Sequence, residues 1–459
     1  MAEATALIDD QRAADPAAAS NGAFWSASSR ATVASIAGSA PGFFIPIAIA
    51  TVFGASAGTD AFLLALSVAS FVANALGSTT QQAAIPFLVQ ARGEKRDVSR
   101  FLAEMTTVLM ALAVVPLIGV NLGLPVYLGR WGHWAPADTR LLTIFLWAFV
   151  PYVVCAILAG IYSGALNALH LYVRVALSPA LRSLVVLGAL VLSPILGMYA
   201  LVSGYLAGEF IRMAYLIARL RRQYPVHLLA RPAHHGIAEF LRSAVAQMIG
   251  SGALALVPVV DRIMAARIGV GIVSILDFAD RLWQVPLGFA MSGLMVTTLA
   301  HWSERLYHGG SVRDLSRSTF RLALALLAVL APFVLVFDVW RQPLVALAFG
   351  HSRLTPADQR LLADTLAVLV AAIPIYVAGL TYTRAFLVLK RSDLLLFIGV
   401  GQLVVKTALN LLLIPIWGLV GIASGTALTY VVTTLVLVAI FHLRLARSPG
   451  PLSTGSSRG

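Results

Sequence analysis

The chain has 459 residues, of which 59% are hydrophobic and 12% charged, with a formal net charge of +13 and a mean hydropathy of +0.86. So little charge cannot cover the surface of a water-soluble protein of this length, so most of the chain must contact lipid or other apolar helices. The single cysteine, Cys155, excludes an intramolecular disulfide and a cysteine-built metal cluster.

In chain order, residues 1–28 are polar and alanine-rich, with Asp9, Asp10 and Asp15. No basic segment runs directly into an apolar one, so this stretch reads as a disordered cytoplasmic tail and not as a secretory signal. Apolar runs of bilayer-crossing length then recur. Twelve spans are predicted, at 31–53, 60–88, 101–124, 139–164, 173–194, 197–218, 239–266, 272–299, 318–337, 360–388, 394–415 and 418–442. Pro46, Pro151, Pro258, Pro286 and Pro374 fall inside them, as kinks or hinges that neighbouring helices can accommodate. The division expected is a tail over 1–28, a six-helix bundle over 29–222, a cytoplasmic linker over 223–238, a second six-helix bundle over 239–446, and a disordered cytoplasmic tail over 447–459.

The two halves repeat one another. The heptapeptide Pro-Ala-Asp-x-Arg-Leu-Leu that starts at Pro136 returns at Pro356, 220 residues later. Arg96-Asp-Val-Ser-Arg100 matches Arg313-Asp-Leu-Ser-Arg317, and SPILGMYALVSG (193–204) matches IPIWGLVGIASG (414–425), at offsets of 217 and 221. Three matches at one period indicate a duplicated six-helix unit. Six is even, so both copies enter the membrane in the same direction, and their axis runs along the membrane normal. The fold class expected is therefore all-α: a polytopic membrane protein of about 12 helices, as two six-helix bundles related by pseudo-two-fold symmetry around a central cavity. Such a seam suits alternating access and favours a transporter over an enzyme. The heptapeptide itself reads as helix-start punctuation, with Thr355 as the cap, Pro356 first in the helix and Asp358 meeting the free N–H groups.

Lys and Arg concentrate in the loops of one side, among them Arg92, Lys95, Arg96, Arg219, Arg221, Arg222, Arg313 and Arg317. The opposite loops carry few, including Arg130, Arg267, Arg341 and Arg353. This bias puts both termini in the cytoplasm. The basic charge then marks topology and contact with anionic lipid; nucleic acid is not an expected partner.

Ionisable groups inside spans are costly and need a reason. Span seven ends with Asp261, Arg262 and Arg267, and span eight begins with Asp277, Asp280 and Arg281. Asp277 and Arg281 are four apart and share a helix face. They either neutralise one another or hold a cationic group in a cavity with a carboxylate setting its position. Span eleven carries Gln402, Lys406 and Asn410 on one stripe, as an interhelical contact or as a cavity or ion-coupling site. Span two offers only uncharged groups, including Gln81 and Gln82, and span one has no charge. Arg182, Glu209 and Arg212 are the main exceptions of the first half, and Glu209 can pair with Arg212. The histidines lie mostly in loops without metal-ligand spacing, and no Gly-rich phosphate loop is present. No catalytic role, metal or cofactor is expected, and transport would draw on an ion, membrane-potential or substrate gradient.

DFADRLWQVPLGFAMSG (277–293) and VFGASAGTDAFLLA (52–65) carry a resemblance to a known family. The first is similar to the "ADRL…P.G" signature, and the second to the "FGAG…DAF" hairpin, of the MurJ/MviN lipid II flippase family. The resemblance covers roughly 30–445. It implies the multidrug/oligosaccharidyl-lipid/polysaccharide exporter fold and movement of a polyprenyl-diphosphate-linked saccharide across the bacterial cytoplasmic membrane. It also implies that cavity arginines meet the diphosphate. Arg281 matches the family's span-eight arginine and takes that role here, with Arg262, Arg267, Asp280, Gln81 and Gln82 as further substrate-binding candidates. Asp261, Asp277, Gln402, Lys406 and Asn410 are the candidates for ion coupling or cavity lining. Sodium-binding members use a span-seven carboxylate and span-eleven polar groups, which Asp261 and Asn410 match; the Lys406 ammonium is expected to stand in for the cation and pair with Asp261. Family arginines of spans one and two correspond to uncharged positions near Ile45, Thr51 and Val72, so another lipid-linked glycan precursor stands beside lipid II as substrate. The expected partners are that lipid, the phospholipid bilayer and cell-envelope biosynthesis proteins. The competing readings are an ion-coupled drug or cation exporter of the same superfamily, a membrane glycosyltransferase or ligase, and a non-transporting scaffold.

Overall fold

A computed structural model of the chain describes residues 21–93, 97–132, 134–169, 171–227, 229–230, 240–242, 255–291, 302, 311–389 and 392–445. Every regular element among them is helical. Nine of these helices, some of them merged across kinks, are long and apolar enough to cross a membrane. Both expected tails fall largely outside the described residues, as do much of span seven and the end of span eight. The chain separates into two compact units.

Unit 1 comprises Met1–Val52, Leu64–Arg130 and Ala135–Met248. Its helices are α1 (Asn21–Phe53), α2 (Ala57–Gly93), α3 (Val98–Trp131), α4 (Pro136–Ala148), α5 (Val150–Ala168), α6 (Tyr172–Ala189), the short α7 (Ser193–Leu196) and α8 (Tyr199–Leu220); the ends of α1 and α3 and the first turns of α2 fall to unit 2. Helix α8 packs on both α5 and α6. Phe149, Tyr152 and Tyr205 meet edge to face in its core, with centroids 5.7 to 6.4 Å apart. The break between α4 and α5 falls at Phe149, just before Pro151, whose ring cannot continue the hydrogen-bond ladder.

Unit 2 comprises Phe53–Leu63, Trp131–Trp134 and Ile249–Gly459. It contains α9 (255–265), α10 (Ile272–Met291), α11 (Val312–Phe349), α12 (Pro356–Ala371), α13 (Ile373–Val388) and α14 (Ser392–Ile440). Helix α12 packs on α10, α11 and α14, and α13 packs on α11 and α14. Tyr382, Phe386 and Phe441 form one buried cluster, and Phe278 stacks on Phe349 at 5.8 Å. The two short segments from the first half join this unit through polar contacts. Trp134 Nε1 donates to the Ala266 carbonyl at 2.7 Å, and the buried Asp60 carboxylate accepts from Gly271 N and Ser274 N at the start of α10.

The repeats behave as local punctuation, with differences that follow from single residues. Thr355 and Asp358 form a reciprocal capping box at α12, whereas Ala135, lacking a side-chain oxygen, makes no side-chain cap at α4. Asp97 caps α3 itself, while its counterpart Asp314 sits in the first turn of α11 and bonds to the cap Ser311. The aligned glycines adopt the same backbone, with φ of 53° at Gly197 and 56° at Gly418, a region that only glycine enters readily. At Gly418 this turn divides α14 into the two segments read as spans eleven and twelve.

Candidate functional site

The charged residues of spans seven, eight and eleven come together inside unit 2. Asp261 and Arg262 sit on the last turn of α9, Asp277, Asp280 and Arg281 on the first half of α10, and Lys406 and Asn410 on the first segment of α14. Asp277 lies between two arginines. Its Oδ1 accepts from Arg262 Nη2 at 2.6 Å, and its Oδ2 accepts from Arg281 Nε at 2.8 Å. Arg262 also reaches Asp280 at 3.4 Å and donates to the Pro258 carbonyl at 3.1 Å. Arg262 and Asp277 are both buried, whereas the Arg281 side chain remains 37% exposed. The carboxylate thus fixes the arm of an arginine that stays accessible.

Lys406 is fully buried. Its ammonium is surrounded by four oxygens: Thr426 Oγ1 at 2.7 Å, the Ile422 carbonyl at 2.8 Å, Asn410 Oδ1 at 3.0 Å and Asp261 Oδ1 at 3.1 Å. Asn410 Nδ2 in turn donates to Asp261 Oδ1 at 2.6 Å. The turn at Gly418 folds the second segment of α14 back so that Ile422 and Thr426 face Lys406. Gly425 is required for this approach, because a Cβ there would lie 2.6 Å from Asn410 Oδ1. A buried ammonium is tolerable only when its donors are satisfied in this manner.

Among these described residues, three carboxylates (Asp261, Asp277, Asp280) face three cations (Arg262, Arg281, Lys406). The cluster is balanced in formal charge, and Arg281 is its most exposed member, ahead of Asp280. Arg267 is exposed in the turn beyond α9 that leads to α10. Gln402 continues the Lys406 stripe, one turn before it, and is half-buried. Gln81 and Gln82 lie on α2, but their side chains fall outside the described residues. Sequence spacing brings out the pairs within one helix but gives no hint of Thr426 or the Ile422 carbonyl, which reach Lys406 only through the turn at Gly418.

The family described as lipid II flippase MurJ matches residues 49–453. The chain belongs to the lipid II flippase MurJ family. The lipid II flippase MurJ of Burkholderia cenocepacia is 25% identical over 430 residues, covering 88% of this chain and 81% of that protein. The probable lipid II flippase MurJ of Buchnera aphidicola subsp. Acyrthosiphon pisum is 22% identical, covering 86% and 79%. Among solved structures, a lipid II flippase MurJ in an inward closed conformation aligns with a TM-score of 0.75 at 18% identity, covering 90% of this chain and 87% of the other. An inward-facing multidrug resistance transporter of the MATE family aligns with a TM-score of 0.70 at 14% identity, covering 88% and 94%. At such identities the structural likeness shows the shared fold.

Proposed function

We propose that this MurJ-family chain is a flippase that moves a polyprenyl-diphosphate-linked saccharide, lipid II or another lipid-linked glycan precursor, across the bacterial cytoplasmic membrane. The observation that carries this reading is the family match over 49–453, nearly the whole length of the described helices. The competing reading as a drug or cation exporter has no comparable support, because the curated relatives above are named as lipid II flippases. The activity is transport by alternating access and involves no chemical conversion of the lipid. The Lys and Arg distribution supports a multi-pass arrangement with both termini cytoplasmic. The expected neighbours are the envelope-biosynthesis proteins that assemble the lipid-linked saccharide on one side and consume it on the other.

In this reading Arg281 meets the diphosphate. A guanidinium presents a planar set of donors that suits phosphate oxygens, and Asp277 limits the conformations Arg281 must give up on binding. Lys406 acts differently. It holds a fixed positive charge within an oxygen cage shared with Asp261 and Asn410, where a mobile monovalent cation would otherwise sit. Transport by this chain therefore runs without sodium. Depletion of the protein, followed by identification of the lipid-linked saccharide that accumulates on the cytoplasmic face, tests the reading. Accumulation of such a lipid, cleared by the wild-type chain and not by Arg281→Ala, is the expected result. Unchanged lipid-linked saccharide pools on depletion would overturn it.

A further inference from the structure

Beside its charge cluster, unit 2 carries an aromatic surface that the ion pairs do not explain. Tyr376 on α13 and Tyr430 on the second segment of α14 are in ring contact, with centroids 4.5 Å apart and planes tilted by 44°. Trp283 of α10 packs against both, edge-on to Tyr376 at 6.0 Å and tilted on Tyr430 at 6.3 Å. Trp283 is buried, whereas the two tyrosines are half-buried. The tyrosines meet because α13 and α14 approach closely one turn further on, where a Cβ at Gly379 would lie 2.5 Å from Thr434 Oγ1.

The surroundings of these rings are polar and open. Asp280 precedes Trp283 by three residues and Gln284 by four, so the three share one side of α10. Gln284 is exposed and makes no hydrogen bond among the described residues. It lies roughly 18 Å along α10 from Ile272, within the predicted span 272–299. Lipid does not accept an amide at that depth, so an exposed Gln284 marks a water-lined side of the helix. Asp280 gives only Oδ2 to Arg262, at 3.4 Å, and has no other ion pair among the described residues. The Tyr376 and Tyr430 hydroxyls also make no hydrogen bond among the described residues and, unlike that of Tyr382, are not closed off from solvent. The exposed apolar residues of this part of α14 are Leu428, Val432, Leu435 and Val436. Tyr430 projects at least about 120° from each of them, so its open edge does not face lipid.

We infer that Tyr376 and Tyr430, with Trp283 packed against them and Asp280 and Gln284 at the rim, form a platform for the first sugar ring of the lipid-linked saccharide. The inference rests on the proposed substrate class and adds a place for the sugar, a group that Arg281 does not recognise. A pyranose has apolar C–H faces and a rim of hydroxyls, so it needs flat apolar surface beside unpaired donors and acceptors. The rings supply the first. The two phenol hydroxyls and the Gln284 amide donate, and Asp280 Oδ1 accepts. Around α10 the order is Trp283, Asp280, Gln284, Arg281, an arc of about 160°. The sugar is bonded directly to the diphosphate, and Asp280 and Gln284 lie between the rings and the arginine that meets that diphosphate. An organic cation also suits aromatic rings beside a carboxylate. Here the neighbouring cluster has no surplus carboxylate, and Asp280 already faces Arg262 with Arg281 next to it in sequence.

The test is binding to the full chain in lipid nanodiscs of a polyprenyl diphosphate bearing a single sugar, as hexose and as N-acetylhexosamine, and of the same lipid without sugar. Tetraphenylphosphonium serves as a cationic probe. The wild type is expected to prefer a sugar-bearing lipid about tenfold. Tyr376→Leu and Tyr430→Leu are each expected to remove most of that preference and to leave affinity for the sugarless lipid unchanged. Arg281→Ala is expected to weaken both lipids alike, which separates the diphosphate from the sugar. A merely structural aromatic cluster predicts a lower melting temperature for the tyrosine variants and equal loss for both lipids. If those variants do not fold, Gln284→Leu decides, because it alters an exposed side chain without a hydrogen bond; a preference lowered severalfold at an unchanged melting temperature is expected. An unchanged preference in every variant that folds overturns the platform. Tetraphenylphosphonium bound by the wild type and lost from the tyrosine variants, without any preference for sugar, assigns the rings to an organic cation and overturns the sugar assignment. Equal wild-type affinity for the lipids with and without sugar overturns the platform and leaves the flippase reading standing. Failure of the wild type to bind any of these lipids overturns the flippase reading as well.

Discussion

Asp60 and Ser274 are 214 residues apart in sequence, yet one Asp60 oxygen accepts both the backbone N–H of Ser274, at 2.8 Å, and its hydroxyl, at 2.5 Å. The other oxygen accepts the Gly271 N–H at 2.6 Å. A residue of the first hairpin thereby caps the first turn of α10, the helix that carries Asp277, Asp280 and Arg281. Backbone groups at a buried helix start require an acceptor, and none is available from α10 itself. Replacing Asp60 with Ala strands these donors at a cost of roughly 1–3 kcal/mol each. Asp60→Ala is expected to melt several degrees below the wild type in detergent, with Asp60→Asn between the two. Equal melting temperatures for all three would remove the capping role.

Lys406 gives a second prediction. Its removal leaves the buried Asp261 carboxylate without its ammonium, a change that typically costs about 3–5 kcal/mol. Lys406→Ala is expected to lose stability on that scale. Sodium is then expected to restore part of it by entering the vacated oxygen cage, while choline does not. The wild type should show the same melting temperature and transport rate in both salts. Sodium-dependent transport by the wild type would show that Lys406 does not replace the cation.

The two arginines on Asp277 should separate by burial. Arg262 is buried and paired with Asp277 and Asp280, so Arg262→Ala leaves the buried Asp277 with Arg281 alone and the half-buried Asp280 without its arginine, and is expected to lower stability by roughly 3 kcal/mol. Arg281 is more than a third exposed, so Arg281→Ala should change the melting temperature little. Its cost should appear in transport, at least tenfold, with Arg281→Lys recovering part of the loss. Melting curves and transport rates on the same preparations check the split. A large stability loss for Arg281→Ala with transport falling in proportion would make Arg281 structural.

Much of this arrangement was legible in the sequence because it lies within single helices. Spacing of four placed Asp277 beside Arg281 and put Lys406 and Asn410 on one face, and spacing of three paired Glu209 with Arg212. Duplication aligned Gly197 with Gly418, and their shared positive φ is seen only in the structure. What spacing cannot give is the partner across a helix boundary. A period says which face of α14 is polar, but Thr426 reaches Lys406 only because Gly418 turns the helix back. Arg182 joins Glu209 only because α6 and α8 pack closely at Gly208. Asp60 lies in the first hairpin, but the donors it accepts from, Gly271 and Ser274, belong to the other half of the chain, beyond the reach of any local spacing. The balanced charge of the unit 2 cluster was likewise hidden, since it depends on which carboxylates reach which cations.

In the proposed function this chain carries a diphosphate-linked saccharide from one membrane leaflet to the other. The direct measurement is made on proteoliposomes holding the purified chain and a fluorescent polyprenyl-diphosphate-linked saccharide, and it follows the fraction of label open to an external quencher over time. Faster leaflet exchange with the wild type than with empty liposomes, slowed by Arg281→Ala and indifferent to sodium, is the predicted result. Exchange no faster than in empty liposomes, under a membrane potential or an ion gradient of either direction, would contradict it.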